Sequence, residues 1–64
     1  MTSSLETLPR IGAPATGALH AAGYTTLRQL DGVPRAELAA LHGVGPKALR
    51  ILAEALEEHG LRLT

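Results

Sequence analysis

Gly43-Val44-Gly45-Pro46-Lys47 is the part of this chain whose residue types and spacing best suit a chemical task. Glycine frees the backbone for a tight turn and lets another molecule approach closely. Val44, apolar between two glycines, is placed to pin such a turn to the core. Pro46 suits the first position of a helix, where its missing N–H would have no intrahelical partner. A helix that starts there presents unpaired amides and the positive end of its dipole, and both favour an anion. Lys47 adds a full positive charge, and Arg50 follows one turn later. The chemistry on offer is phosphate binding, with Gly43, Val44, Gly45, Lys47, Ala48 and Arg50 as the candidate residues. Arg50 has an alternative partner in Glu54 at i, i+4. His42 flanks the turn and would join the site only when protonated; a plain surface histidine is the simpler reading.

A second copy of the pattern lies 33 residues earlier. Leu8, Ile11, Gly12, Ala15 and Leu19 match Leu41, Val44, Gly45, Ala48 and Leu52 at a constant offset. Gly23-Tyr24 and Gly60-Leu61 then mark corresponding helix ends, with about one extra helical turn in the second copy. Two copies fall short of the three or more that a stacked solenoid needs, so two packed units are the better account. The first copy is chemically poorer, since Arg10 stands where Gly43 does and Pro14 where Lys47 does. Arg10, Ile11 and Gly12 are its candidate site residues, with Arg10 supplying charge from the turn itself.

The stretch from Leu41 to Leu52 resembles a helix-hairpin-helix motif: apolar-x-Gly-apolar-Gly, then the small residue Ala48 three positions on. The chain from about residue 5 to 63 resembles a double helix-hairpin-helix domain, with hairpins at about 9–13 and 42–46. The run Ala22-Gly23-Tyr24-Thr25-Thr26-Leu27-Arg28-Gln29-Leu30 is similar to the C-terminal domain of the bacterial RNA polymerase alpha subunit. A small group of stand-alone bacterial proteins with the same double hairpin resembles the chain more closely still. The resemblance implies hairpin amides of Gly45, Lys47 and Ala48 on one backbone phosphate and the turn at residues 10–12 on a second, across the minor groove. The arginine and asparagine with which the polymerase domain enters that groove correspond here to Pro14 and Gly17. Minor-groove reading and promoter-element binding therefore do not carry over.

The expected fold is all-α: a compact five-helix domain, single over residues 1–64, made of two helix-hairpin-helix motifs joined by a short connector helix. Ser3-x-x-Glu6 has the spacing of a capping box and predicts a first short helix ending near Pro9. Helices follow over 13–22, with Ala15, Ala18, Leu19 and Ala22 inward, and over 34–41, with Leu38 and Leu41 inward. Between them a connector capped by Thr25 or Thr26 runs to Leu30 and breaks at Asp31-Gly32. The longest helix spans 46–59, with Leu49, Leu52 and Leu56 inward and Gly60 in a Schellman-type ending. Tyr24, the one aromatic residue, is assigned to the core rather than to stacking on a base.

Composition narrows the function. The 64 residues carry six basic and six acidic side chains, and there is no cysteine. A domain this small buries only about 60% of its unfolded surface and is marginally stable. His20 and His59 have no clustered partners, so no metal is implied, and neither a cofactor loop nor a catalytic arrangement can be built. The absence of a targeting motif or long apolar run leads to the expectation of a cytoplasmic protein without a membrane role. A neutral balance excludes strong electrostatic DNA binding, because affinity comes from neutralising phosphates. Arg10, His42, Lys47 and Arg50 nevertheless lie near the two turns, while Glu54, Glu57 and Glu58 lie further along. The expectation is weak, sequence-independent binding of double-stranded DNA. The alternative is a protein-interaction module, acting through a protein partner or as a homodimer, with little or no DNA binding.

Overall fold

Six leucines, Leu19, Leu27, Leu30, Leu38, Leu52 and Leu56, are fully buried and fix where each element sits. Burying one such side chain stabilises the fold by about 1.5–3 kcal/mol. The structure, a computed structural model, describes residues 4–64. Among them are three α-helices, α1 (Ala13–Ala21), α2 (Arg35–Ala39) and α3 (Pro46–Glu57), with a 3-10 turn over Arg28–Leu30 between α1 and α2. No strand is present among the described residues. No helix there is long and apolar enough to cross a membrane.

The all-helical class holds, but the five-helix expectation does not. Residues 5–7 form a turn and 8–12 are irregular. The carbonyls that a first helix would have used internally point elsewhere: Leu5 O accepts from Arg28 N at 3.0 Å and Thr7 O from Leu27 N at 3.2 Å. Ser3 of the expected capping box lies outside the described residues, and Glu6 instead pairs with Arg28 at 3.4 Å. The connector shrinks to a single 3-10 turn because Asp31 is extended and Gly32 takes a φ of +81°. Among the described residues the first turn thus has a helix after it but none before, while the second is flanked by α2 and α3.

The capping box belongs to the connector. Gln29 N donates to Thr26 Oγ1 at 3.4 Å, and Gln29 Oε1 accepts from Thr26 N at 3.1 Å and from Thr25 N at 2.7 Å. This is the reciprocal pattern in which a threonine and a glutamine three residues later satisfy each other's amides. α2, only five residues long, is started by a distant carbonyl. Arg35 N donates to Thr64 O at 2.9 Å, and residues 32–33 exchange further bonds with Arg62 and Thr64 at 2.9 and 3.0 Å. Leu63 is carried into the core by this pairing.

α1 and α3 begin and end alike, as the repeat predicts. Thr16 N donates to Gly12 O and Leu49 N to Gly45 O, each at 3.0 Å, so in both helices the matched glycine sits at the N-cap and accepts the first intrahelical bond. At the far ends, Tyr24 N reaches Leu19 O at 2.8 Å and Leu61 N reaches Leu56 O at 2.9 Å. Gly23 N and Gly60 N each bond back to His20 O and Glu57 O at 3.0 Å. Both are Schellman endings, with Gly23 and Gly60 at φ of +96° and +74°. Of the stripe expected on α1, Ala15 and Leu19 are buried and Ala18 half-buried, but Ala22 is exposed, because the Schellman turn carries it off the inward face.

The turn at residues 41–45 packs on the first turn of α1. A Cβ built on Gly43 would stand 2.7 Å from the Pro14 carbonyl oxygen and 3.6 Å from Ala18 Cβ, and its φ is +100°. Glycine is required here by both space and conformation. Val44 is buried, as a pin for the turn should be.

Tyr24 is half-buried rather than wholly in the core, and its phenol donates to Glu37 Oε2 at 2.5 Å, tying the end of α1 to α2. That bond, helped by desolvation and by the carboxylate's charge, raises the phenol pKa above its ordinary 10.0. A raised pKa means that the bond's contribution to stability is complete below pH 10 and is lost as pH climbs through the folded value. Ultraviolet titration of tyrosinate is expected to show a midpoint above the ordinary value, and Glu37→Ala to bring it down. An unchanged midpoint would mean that the bond does not form. In urea denaturation, Gly43→Ala is expected to cost about 2 kcal/mol or more through strain and overlap with the Pro14 carbonyl. Gly17→Ala, on α1 with nothing within 4 Å of its Cβ position, should instead add about 0.5–1 kcal/mol. Similar effects at the two sites would contradict the packing of the turn on α1.

Candidate nucleic-acid interface

The contact between Gly43 and Pro14 brings the two glycine turns to one side of the molecule. Residues 10–12 run directly into α1, and Lys47 lies four residues beyond Gly43, at the start of α3. Arg10, Ile11 and Gly12 accordingly share a cleft of about 300 Å³ with Lys47, Ala48 and Ile51. A neighbouring cleft of about 380 Å³ is lined by Pro46, Lys47 and Arg50. Lys47 stands between the two, with Arg10 on one side and Arg50 on the other.

The start of α3 adds polarity to this surface. With Gly45 as N-cap and Pro46 at the first position, the amides of Gly45, Lys47 and Ala48 precede the first intrahelical bond, made by Leu49 N. Such amides have no partner within their own helix. No side chain caps them. Gly45 takes a φ of −95° and has nothing within 4 Å of its Cβ position. Neither conformation nor internal packing therefore demands a glycine there. Gly12, its counterpart at the start of α1, does require one, with a φ of +93°.

Charge on α3 runs against the helix dipole. The first turn holds Lys47 and no acidic residue, and the last turn holds acidic residues and no basic one. Each inversion costs a few tenths of a kcal/mol to about 1 kcal/mol in an exposed helix. A helix built for stability alone would carry these charges the other way round. Arg10, Lys47 and Arg50 make no ion pair among the described residues, so the alternative pairing of Arg50 with Glu54 is not formed. At 1.5 Å per residue, Glu54 lies about 10 Å along α3 from Lys47 and Glu58 about 16 Å. Both distances reach or exceed the screening length of about 8–10 Å at physiological salt. The acidic end therefore subtracts little from the potential at Lys47, whereas Glu54, only about 6 Å along the helix from Arg50, lowers it there.

Of the nine residues singled out in the sequence, Arg10, Ile11, Gly12, Lys47 and Ala48 meet in one cleft and Arg50 joins the next. Gly43 and Val44 line neither; one packs against Pro14 and the other is buried. Gly45 contributes its place at the helix start. Ile51 was missed, although it follows Lys47 by four residues and Ala48 by three, the spacing that puts residues on one helix face. His42 lies away from the clefts, in an apolar groove of about 300 Å³ with Ala18, Ala21, Ala22 and Leu41. No family model, curated protein or solved structure matches the chain.

Because nothing within the fold needs a glycine at position 45, Gly45→Ala is expected to leave stability within about 0.5 kcal/mol of the parent or to raise it. Thermal melting followed by circular dichroism checks this. A loss comparable to that of Gly43→Ala would show that Gly45 is part of the packing after all.

Proposed function

We propose that this domain binds the sugar-phosphate backbone of nucleic acid, weakly and without sequence preference, with double-stranded DNA as the expected form. The observation that carries this reading is the meeting of Arg10 and Lys47 in one cleft at the uncapped start of α3. A phosphate there would accept from the amides of Gly45, Lys47 and Ala48 and be neutralised by the two side chains. Arg50 extends the positive surface along α3. The likeness of residues 41–52 to a helix-hairpin-helix motif agrees with this use. Three cations make a small footprint, so affinity should fall in the non-specific range of about 10⁻⁴ to 10⁻⁶ M at physiological salt. The log–log salt slope for duplex should be about −2 to −3.

A second reading has its own support. The groove at Ala18, Ala21, Ala22, Leu41 and His42 is apolar, and α1 carries no Asp, Glu, Lys or Arg. A protein-interaction module would use that surface. Concentration-dependent sedimentation lost on His42→Glu would favour it.

The test of the first reading is an NMR titration of labelled protein with a short duplex at two salt concentrations. Salt-sensitive shifts are expected at residues 10–12 and 45–51. Lys47→Glu should abolish them while raising stability by about 0.3–1 kcal/mol, because a negative charge suits the helix start. A variant that melts higher yet no longer binds would separate the site from the fold. Unchanged affinity in Lys47→Glu would overturn the site.

A further inference from the structure

The order of the cations says more than their number. Arg10 and Lys47 line one cleft and Lys47 and Arg50 another, so Lys47 is common to both. Residues three apart on a helix lie about 5–6 Å apart at Cβ, which places Lys47 and Arg50 within reach of neighbouring phosphates on one strand. Grasping both strands of a duplex calls for cations on two sides of a minor groove about 6 Å wide and 7.5 Å deep. Lys47 and Arg50 instead lie one helical turn apart on a single element, and the turn at residues 10–12 lines the same cleft as Lys47.

The lining of that cleft points the same way. Half-buried Ile11 and Ile51 lie beside the two cationic side chains, giving an apolar wall next to positive charge. In a duplex the base faces are stacked on one another, and such a wall meets only sugars and base edges. An unpaired base can lie against it while its phosphate engages Arg10 and Lys47. Proteins that hold single strands without sequence preference combine a cationic track with side chains against which bases lie, most often aromatic; here the two isoleucines would take that place.

We propose that the clefts on either side of Lys47 take consecutive phosphates of one strand, so that the domain binds single-stranded nucleic acid as readily as duplex. This rests on the phosphate-binding reading above and specifies its substrate.

The experiment is fluorescence anisotropy of the full chain with a labelled oligothymidylate and with a mixed-sequence duplex of the same length. The two affinities are expected to agree within about threefold at equal salt. Arg10→Ala and Arg50→Ala, both exposed positions, should each weaken oligothymidylate binding several-fold and flatten its log–log salt slope by about 0.7. Circular dichroism confirms that each variant is folded. Duplex binding about tenfold or more tighter than oligothymidylate, with Arg10→Ala affecting the duplex alone, would overturn the one-strand assignment and leave phosphate binding standing. Absence of binding to either nucleic acid at millimolar concentration would overturn both.

Discussion

The approach of Gly43 to the Pro14 carbonyl is the contact on which the rest of the arrangement depends. A Cβ at this point would overlap the carbonyl oxygen, and the backbone there is left-handed, so one residue type meets both demands. Because the contact joins the turn before α3 to the first turn of α1, it fixes how the two helix starts sit relative to each other. Residues 10–12 and Lys47 then fall into one cleft. Gly43 places the candidate site and lines neither of its clefts. Gly45, two residues on, is the reverse: nothing inside the molecule uses its missing side chain.

A chain of this size has few ways to hold short helices in place. The six fully buried leucines form the centre of the core, but a five-residue helix and a three-residue 3-10 turn cannot persist on propensity, because nucleating a helix is unfavourable. Their starting amides are held instead by carbonyls from distant segments, those of Leu5 and Thr7 for the 3-10 turn and of Thr64 for α2. The segment from residue 24 to 35 is therefore bracketed by both flanks of the chain. Tyr24 and Glu37 add a tie across the same region. The exposed pair between Arg28 and Glu6 adds little, since surface ion pairs contribute about 0–1 kcal/mol.

α3 carries its charges in the order least favourable to a helix, which stability alone does not explain. Lys47 at the start and acidic residues at the end both oppose the dipole. Locally unfavourable choices without a compensating contact tend to mark functional surfaces. An anion held at the start of α3 would supply the missing compensation, through Lys47 itself and through the amides left open beside it.

The amino-acid sequence alone determined the all-helical class and the 33-residue repeat. It also determined the helix starts after Gly12 and Gly45 and the helix ends at Gly23 and Gly60. The helix starts and ends are short-range effects, decided by residues within one or two turns of each other. The candidate cations were legible for the same reason, as charges placed at glycine turns. Tertiary structure decided the rest. Residues 3–9 have the spacing of a helix start, yet the carbonyls of Leu5 and Thr7 bond some twenty residues away and the turn at residues 10–12 has no helix before it among the described residues. The burial of Leu27, Leu30 and Leu63 and the start of α2 on Thr64 likewise depend on segments far apart in the chain. That Arg10 and Lys47 share a cleft, with Ile51 beside them and His42 elsewhere, follows from the packing of one turn on another helix. Local spacing carries no information about that approach, because backbone hydrogen bonds and van der Waals contact between distant segments select it.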